Sequence, residues 1–281
     1  MFHVEQDKKH TTYNSKIYLE TKDFFLSGES FELVYDETFE LLKTYPVPSD
    51  EDLPKYYESE NYVSHQDSKK GLFGFAYSII KKWSLKKKIK LITRLNSSHG
   101  SLLDIGTGTG DFLKAAQKDA WDVLGVEPIR VAREKIIEKG IPVVHDLDSL
   151  EGKFDVVTLW HALEHIHDIF STIDRLGELV KPGGHLVVAV PNYKSYDAKQ
   201  YGKYWAAWDV PRHIWHFSQE SIGLLFKQRF ELVEKRPLVF DAFYVSLLSH
   251  KYKTGRFGLK PFLVGLKSNL EARRNKEYSS L

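Results

Sequence analysis

Two groups of residues in this chain have the types and spacing for chemistry. The first is Asp104 followed by Gly106, Gly108 and Gly110 at alternate positions, with Thr107 and Thr109 between them. Glycines at that spacing let a backbone turn sharply and approach a ligand where a Cβ would block it. The apolar run Leu102, Leu103 and Ile105 ahead of them reads as a buried strand. From Asp111 and Phe112 onward the spacing is helical. Strand, glycine turn and helix start together suit a nucleotide-like ligand. The dinucleotide fingerprint does not fit, because it needs a small residue three positions after its second glycine and Asp111 stands there. The second group is His161-Ala162-Leu163-Glu164-His165, joined further on by His213 just after Pro211. A histidine with a pKa near ~6.5 takes a proton from a hydroxyl at neutral pH. As bare text the segment matches an inverted zinc-protease signature, which needs one continuous helix. Here it comes directly off a strand and lacks a full ligand set, so no metal is assigned.

The elements around these groups must hold them at one edge of a sheet. Short apolar strands at 101–105, 122–127, 141–145, 154–160 and 185–191 alternate with helices at 111–118, 129–139 and 168–180. That rhythm predicts an α/β fold, a doubly wound, Rossmann-like, mostly parallel sheet covered on both faces. Ser218 caps a helix reaching 230, and 232–239 reads as a sixth strand. Upstream, 17–45 alternates in the manner of a small β-rich unit, with a turn at 36–38 and a capped helix start at 49–52, while 1–16 is polar and loose. Residues 72–95 form one or two amphipathic helices whose apolar seam slips near Ser84, which predicts a kink or a second helix, with the lysines, Lys88 among them, on a solvated face. Segment 192–217 breaks the rhythm with eight Tyr, Trp and Phe side chains around Arg212, His213 and His216, as a lid or binding segment does. The division expected is a β-rich cap at 1–70, the main domain at 71–240 with its lid at 192–217, and a helical extension at 241–281. Residues 241–253 and 259–275 read as helices. Too little chain follows for a full seventh strand, which is therefore absent or a stub that leaves a sheet edge or gap.

The pattern Asp104-x-Gly106-x-Gly108-x-Gly110 resembles motif I of class I S-adenosylmethionine-dependent methyltransferases. Residues 154–161 and 179–186 resemble later motifs of the same family, and the Glu164-His165 pair is similar to that of the ubiquinone-biosynthesis O-methyltransferase-like group. The resemblance implies S-adenosylmethionine as cofactor. It implies that Asp104, Gly106, Thr107, Gly108, Gly110, Asp111 and Phe112 surround the methionine part of the donor. Glu127 and Pro128 would meet the ribose, Asp146 and Leu147 the adenine, and the Trp160 face the sulfonium. His161, Glu164, His165 and His213 would face the methyl acceptor as catalytic residues. The acceptor implied is a small molecule, methylated on a hydroxyl oxygen. C- or N-methylation, or a module that binds the donor without catalysis, are the alternatives.

Composition narrows the classes. A net charge of +2 demands no polyanionic partner. With no cysteine, disulfides, thiolate metal sites and cytosine C5 chemistry are all excluded, and a cytoplasmic location is the default. Residues 159–162 lack the acidic or Asn-Pro-Pro-aromatic signature of amino-group base methylation, so nucleic acid is not the expected acceptor. No apolar run approaches the ~20 residues of a membrane span.

Overall fold

The computed structural model describes residues 16–49, 51–57 and 72–280. The polar start at 1–15 and most of the 50–71 stretch lie outside it. In chain order the elements are β1 (Ile17–Lys22), β2 (Ser30–Asp36), β3 (Leu41–Tyr45), α1 (Leu72–Asn96), β4 (Ser101–Ile105), α2 (Asp111–Lys118), β5 (Asp122–Val126) and α3 (Arg130–Glu138). Then come β6 (Val143–Val144), β7 (Phe154–Trp160), α4 (Ile169–Leu179), β8 (Val180–Ala189), α5 (Tyr196–Tyr201), β9 (Trp215–His216), α6 (Gln219–Phe226), α7 (Asp241–Thr254) and α8 (Lys260–Asn275).

The main sheet has five parallel strands in the order β6-β5-β4-β7-β8. Strand β4 is central, and its alternate residues feed two cores. Leu103 and Ile105 join one with α4 and α6, while Leu102 joins the other with Ile89 and Ile92 of α1 and Phe112, Leu113 and Ala116 of α2. The chain reverses its direction of winding between β4 and β7, and open sheets of this type place ligands in the crevice beyond that point. Both candidate groups lie there, at the carboxyl ends of β4 and β7.

A second, antiparallel sheet runs β1-β2-β3-β9. Its fourth strand comes from the end of the aromatic segment, where Leu42 pairs with His216 and Lys43 with Trp215. A third core joins Phe31, Leu33 and Leu42 of this sheet to Tyr201, Trp205 and Trp208 of the aromatic segment and to Val264 of α8. The three regions flanking the main sheet therefore share one apolar interior.

Several expectations need correction. Helix α1 runs as one element through Ser84, so no second helix begins there. Ile79, Ile80 and Trp83 are exposed, while Ile89 and Ile92 of the second seam reach the core. Residues 231–238 form no strand. Leu232 and Val233 are exposed there, and Pro237 has no N–H to offer a ladder. The end of the chain is a stub. Ser280 makes a one-residue antiparallel bridge to Pro191, Asn192 N–H donates to Ser279 O at 2.8 Å, and Leu238 N–H donates to Ser280 O at 3.1 Å.

Candidate active site

The glycine turn is held from below by backbone. Gly106 N–H donates to Val126 O at 2.9 Å, and its φ of +67° suits glycine. A Cβ on Gly106 would meet the Ala162 Cβ at 2.6 Å, so the turn also needs the space. Glu127 is fixed against this turn. Its Oε2 accepts the Gly108 N–H at 2.8 Å and its Oε1 the Ile129 N–H at 3.0 Å. Arg133 braces the same corner by donating to the carbonyls of Glu127 and Pro128. Asp104 is buried at the end of β4 and accepts the Thr158 hydroxyl at 2.6 Å. Burial drives its pKa up to about 6, against the lowering effect of the Thr158 and Thr107 hydroxyls and of Lys88. Burial likewise raises the Glu127 carboxyl, which the two N–H donors partly offset.

Lys88 is the cation of this corner. It comes from α1, and its ammonium lies 4.2 Å from the centre of the Trp160 ring. Burial lowers its pKa, while Asp104 and Asp241 oppose that. It does not lie on a solvated face, contrary to the reading from the helix pattern. Phe112 lies edge-on beneath Trp160, with ring centres 5.6 Å apart. The Trp160 Nε1 is buried with no hydrogen-bond partner.

Other members of the expected donor set are occupied elsewhere. Asp111 pairs with Lys81 at 2.5 Å and Lys139 at 2.7 Å, and those contacts outweigh burial and hold its carboxyl below the usual range. Asp146 caps its own turn by accepting the Ser149 N–H at 2.8 Å, with His145 3.2 Å away. Leu147 is partly buried against the core beside Val144.

The second group forms no helix of the protease kind. His161 turns off β7 with φ +56°, and a single 3-10 turn spans Leu163–His165. The His161 imidazole bridges two carboxylates, Asp241 at 3.0 Å through Nε2 and Glu164 at 3.4 Å through Nδ1. Burial alone would lower its pKa, but the two carboxylates prevail and raise it to about 10. That direction favours the imidazolium of His161, held between the two carboxylates. Glu164 is 1% exposed. Burial would raise its carboxyl, yet His161 and the neighbouring imidazoles hold it below the usual range. Neither of its oxygens accepts a hydrogen bond, since the 3.4 Å approach of His161 is an ion-pair distance only.

His165 is the neutral partner. Its Nδ1 lies 3.0 Å from Arg212 O and 3.1 Å from the Tyr57 hydroxyl. A carbonyl only accepts, so Nδ1 carries the proton and Nε2 keeps its lone pair. Burial, helped by the neighbouring His213, lowers the His165 pKa to about 4. His213 is oriented by the same device, with Nδ1 donating to Ala207 O at 2.9 Å, and its ring stands edge-on to His165 at 4.6 Å. His216 points the other way: its Nε2 lies 2.9 Å from the Thr44 hydroxyl, which itself donates to His213 O.

One donor atom each from Glu164, His165 and His213 lie within 4.8 Å of one another. Two histidines and a carboxylate, with both imidazoles steered by backbone carbonyls, form a set that suits a divalent cation. Bonds of about 2.1 Å span at most about 4.2 Å across a metal, so the side chains would have to draw in by several tenths of an ångström. Spacing alone offers Glu164 and His165 no full ligand set; the fold brings His213 to them.

What positions the aromatic segment is a buried guanidinium. Arg212 is 1% exposed and donates to Asp23 and Asp209 at 2.7 Å each, and to Tyr56 O at 3.3 Å. Asp23, Asp209, Asp241, Tyr57 and Lys88 were not assigned to the site from sequence. Asp241 carried the nearest signal, as the first acidic residue of a helix.

Residues 80–235 match the model of a family described as a methyltransferase domain. The chain is 34% identical over 102 residues to a ubiquinone biosynthesis O-methyltransferase of Photorhabdus laumondii subsp. laumondii, covering 32% of this chain and 42% of that protein. It is 31% identical over 134 residues to the protein of the same name from Pectobacterium carotovorum subsp. carotovorum, covering 39% and 56%. The chain thus spans about half the length of these curated relatives. Among solved structures it is similar to an S-adenosylmethionine-dependent methyltransferase of Thermotoga maritima, described as a possible histamine N-methyltransferase. That similarity has 19% identity, covers 61% of this chain and 82% of the other, and has a TM-score of 0.43. The chain belongs to the methyltransferase-domain family.

Proposed function

We propose, with that membership as premise, that the protein moves the methyl group of S-adenosylmethionine to a hydroxyl oxygen of a small molecule. The donor's amino-acid part is a zwitterion, and the corner between β4 and α1 offers both complements. Asp104 meets its ammonium, and Lys88 meets its carboxylate. Glu127 takes the ribose hydroxyls, Asp146 and Leu147 border the adenine, and Trp160 walls the sulfonium side.

The transfer is an in-line displacement. The acceptor oxygen attacks the methyl carbon, the carbon–sulfur bond breaks, and its electron pair stays on sulfur as S-adenosylhomocysteine departs. The protein's contribution is alignment and exclusion of water. The acceptor proton goes to Nε2 of His165. The single observation that carries this reading is the hydrogen bond from His165 Nδ1–H to Arg212 O, which leaves the ring's lone pair on Nε2. His161, as an imidazolium held by Asp241 and Glu164, orients the acceptor.

Nucleic acid has no place in this reading. A cytoplasmic site of action fits the absence of cysteine, and no described helix is long and apolar enough to cross a membrane. The regions 1–70, 71–240 and 241–281 are taken as cap, transfer domain and extension. The test is turnover of methyl-labelled donor with a panel of hydroxylated metabolites, beside calorimetry of donor binding. Donor binding with label recovered only on nitrogen or carbon would refute O-methylation. Absence of donor binding would refute the whole reading.

A further inference from the structure

Helix α8 has two unlike faces. One packs inward through Pro261, Val264, Gly265, Ser268 and Ala272, with Ser268 donating to Asp197 of α5 at 2.6 Å. The opposite face is apolar and open to solvent. Leu259 is 82% exposed, Leu263 67%, and Leu266 and Leu270 about half, with Phe262 beside them and Phe257 in the preceding loop. Positions 259, 263, 266 and 270 recur at three and four residues, so they form one continuous stripe down the helix. Soluble surfaces carry scattered apolar residues, but a contiguous stripe of this kind marks a contact surface.

The charges around the stripe say what it meets. Residues 251–276 hold eight lysines and arginines against one glutamate, a net +7 in a chain whose total is +2. At 100° per residue, Lys260, Lys267 and Arg274 flank one side of the stripe and Arg273 the other. All four basic residues are exposed. Long basic side chains with apolar stems beside an apolar stripe are the pattern of a helix lying in a membrane interface. A two-fold pairing of this face with a second copy would set +7 against +7, which Coulomb repulsion opposes.

We propose that this face of α8 docks the protein on the surface of an anionic lipid bilayer, with the leucine stripe at the boundary between headgroups and acyl chains. The helix lies along the surface and does not span it. The hairpin of α7 and α8 also carries Asp241 to His161 and packs on α5. On the methyl-transfer reading given above, docking sets the acceptor half beside the bilayer, and the acceptor class becomes a hydroxyl compound held in a membrane. The docking itself does not depend on that reading.

The test is co-sedimentation of the full chain with vesicles of phosphatidylcholine alone and of phosphatidylcholine with phosphatidylglycerol. Binding is expected only to the anionic vesicles, weakening as salt is raised. The double variant Leu263→Glu, Leu266→Glu should lose about tenfold or more in binding while keeping its melting curve and its donor affinity. The charge variant Lys260→Glu, Arg274→Glu should lose binding as well. Equal sedimentation of wild type and the leucine variant would overturn the proposal. So would light scattering that finds a wild-type dimer made monomeric by that variant, with no vesicle binding. Failure of methyl transfer with vesicle binding intact would leave docking standing and reject only the acceptor assignment.

Discussion

The two halves of the crevice are built in opposite ways. The glycine-turn half is made of near neighbours. Gly108 and Glu127 are 19 residues apart, and Asp104 and Thr158 are 54 apart on paired strands. Much of its geometry is backbone. The histidine half is gathered from distant segments by side chains, with His161 reaching Asp241 across 80 residues, His165 reaching Tyr57 across 108, and Arg212 reaching Asp23 across 189. A half made of local backbone holds one fixed ligand. A half made of remote side chains can be altered one contact at a time, which suits the side facing a variable acceptor.

Substitutions can break that contrast. The largest effect is expected from His165→Ala, which should lower turnover by about 10²–10⁴ with donor affinity unchanged by calorimetry. Because His165 acts as a base only when neutral and its pKa is about 4, kcat in the wild type should fall as pH drops through about 4. A limb near 6.5 instead would point to a different base. Next, Asp23→Ala leaves Arg212 buried with one partner fewer. A loss of up to about 3–5 kcal/mol in urea unfolding is expected, because the buried guanidinium keeps Asp209 but loses its other carboxylate partner. If the halves are as separate as the contacts suggest, donor affinity should survive wherever the variant remains folded.

On the donor side, Glu127→Ala should weaken donor binding by about 1.5–3 kcal/mol for each charge-assisted hydrogen bond lost, without moving the kcat limb near pH 4. The smallest effect sharpens the boundary between the halves. Asp241→Asn removes one of the carboxylates that raise His161, so its pKa, followed by NMR, should fall from about 10. The sign follows from linkage. A histidine raised on folding stabilises the fold fully below its unfolded value near 6.5, and that contribution is lost as pH rises through about 10. The variant should therefore lose stability mainly below pH 10 and match the wild type above it.

The same contrast explains what was legible in the sequence. The glycine turn, the parallel sheet and the Glu127 corner were readable because period, spacing and strand ends lie within short windows. The sixth strand failed because the apolar pairs Leu232-Val233 and Leu238-Val239 at the two ends of 232–239 suggest a strand in text only. In the fold Leu232 and Val233 face solvent, while Glu234 pairs with Arg94 and Arg236. Lys88 could not be told from its neighbours on α1, since its burial is decided by Trp160 and Asp104 across the crevice. The pairing of His161 with Asp241 was hidden for a related reason. The carboxylate that keeps it protonated lies on a helix 80 residues away, and no spacing rule reaches that far.

The two-residue strand β9 has a consequence for anyone who would transplant acceptor specificity between such proteins. The aromatic segment is not a cassette that can be cut at 192 and 217. Its end is a rung of the antiparallel sheet, and its Arg212 is neutralised by Asp23. Grafted alone, it would part Asp23 from its cation and leave the guanidinium in the insert with Asp209 as its one remaining carboxylate partner among those described. The unit of exchange is discontinuous: strands β1 to β3 and the aromatic segment together.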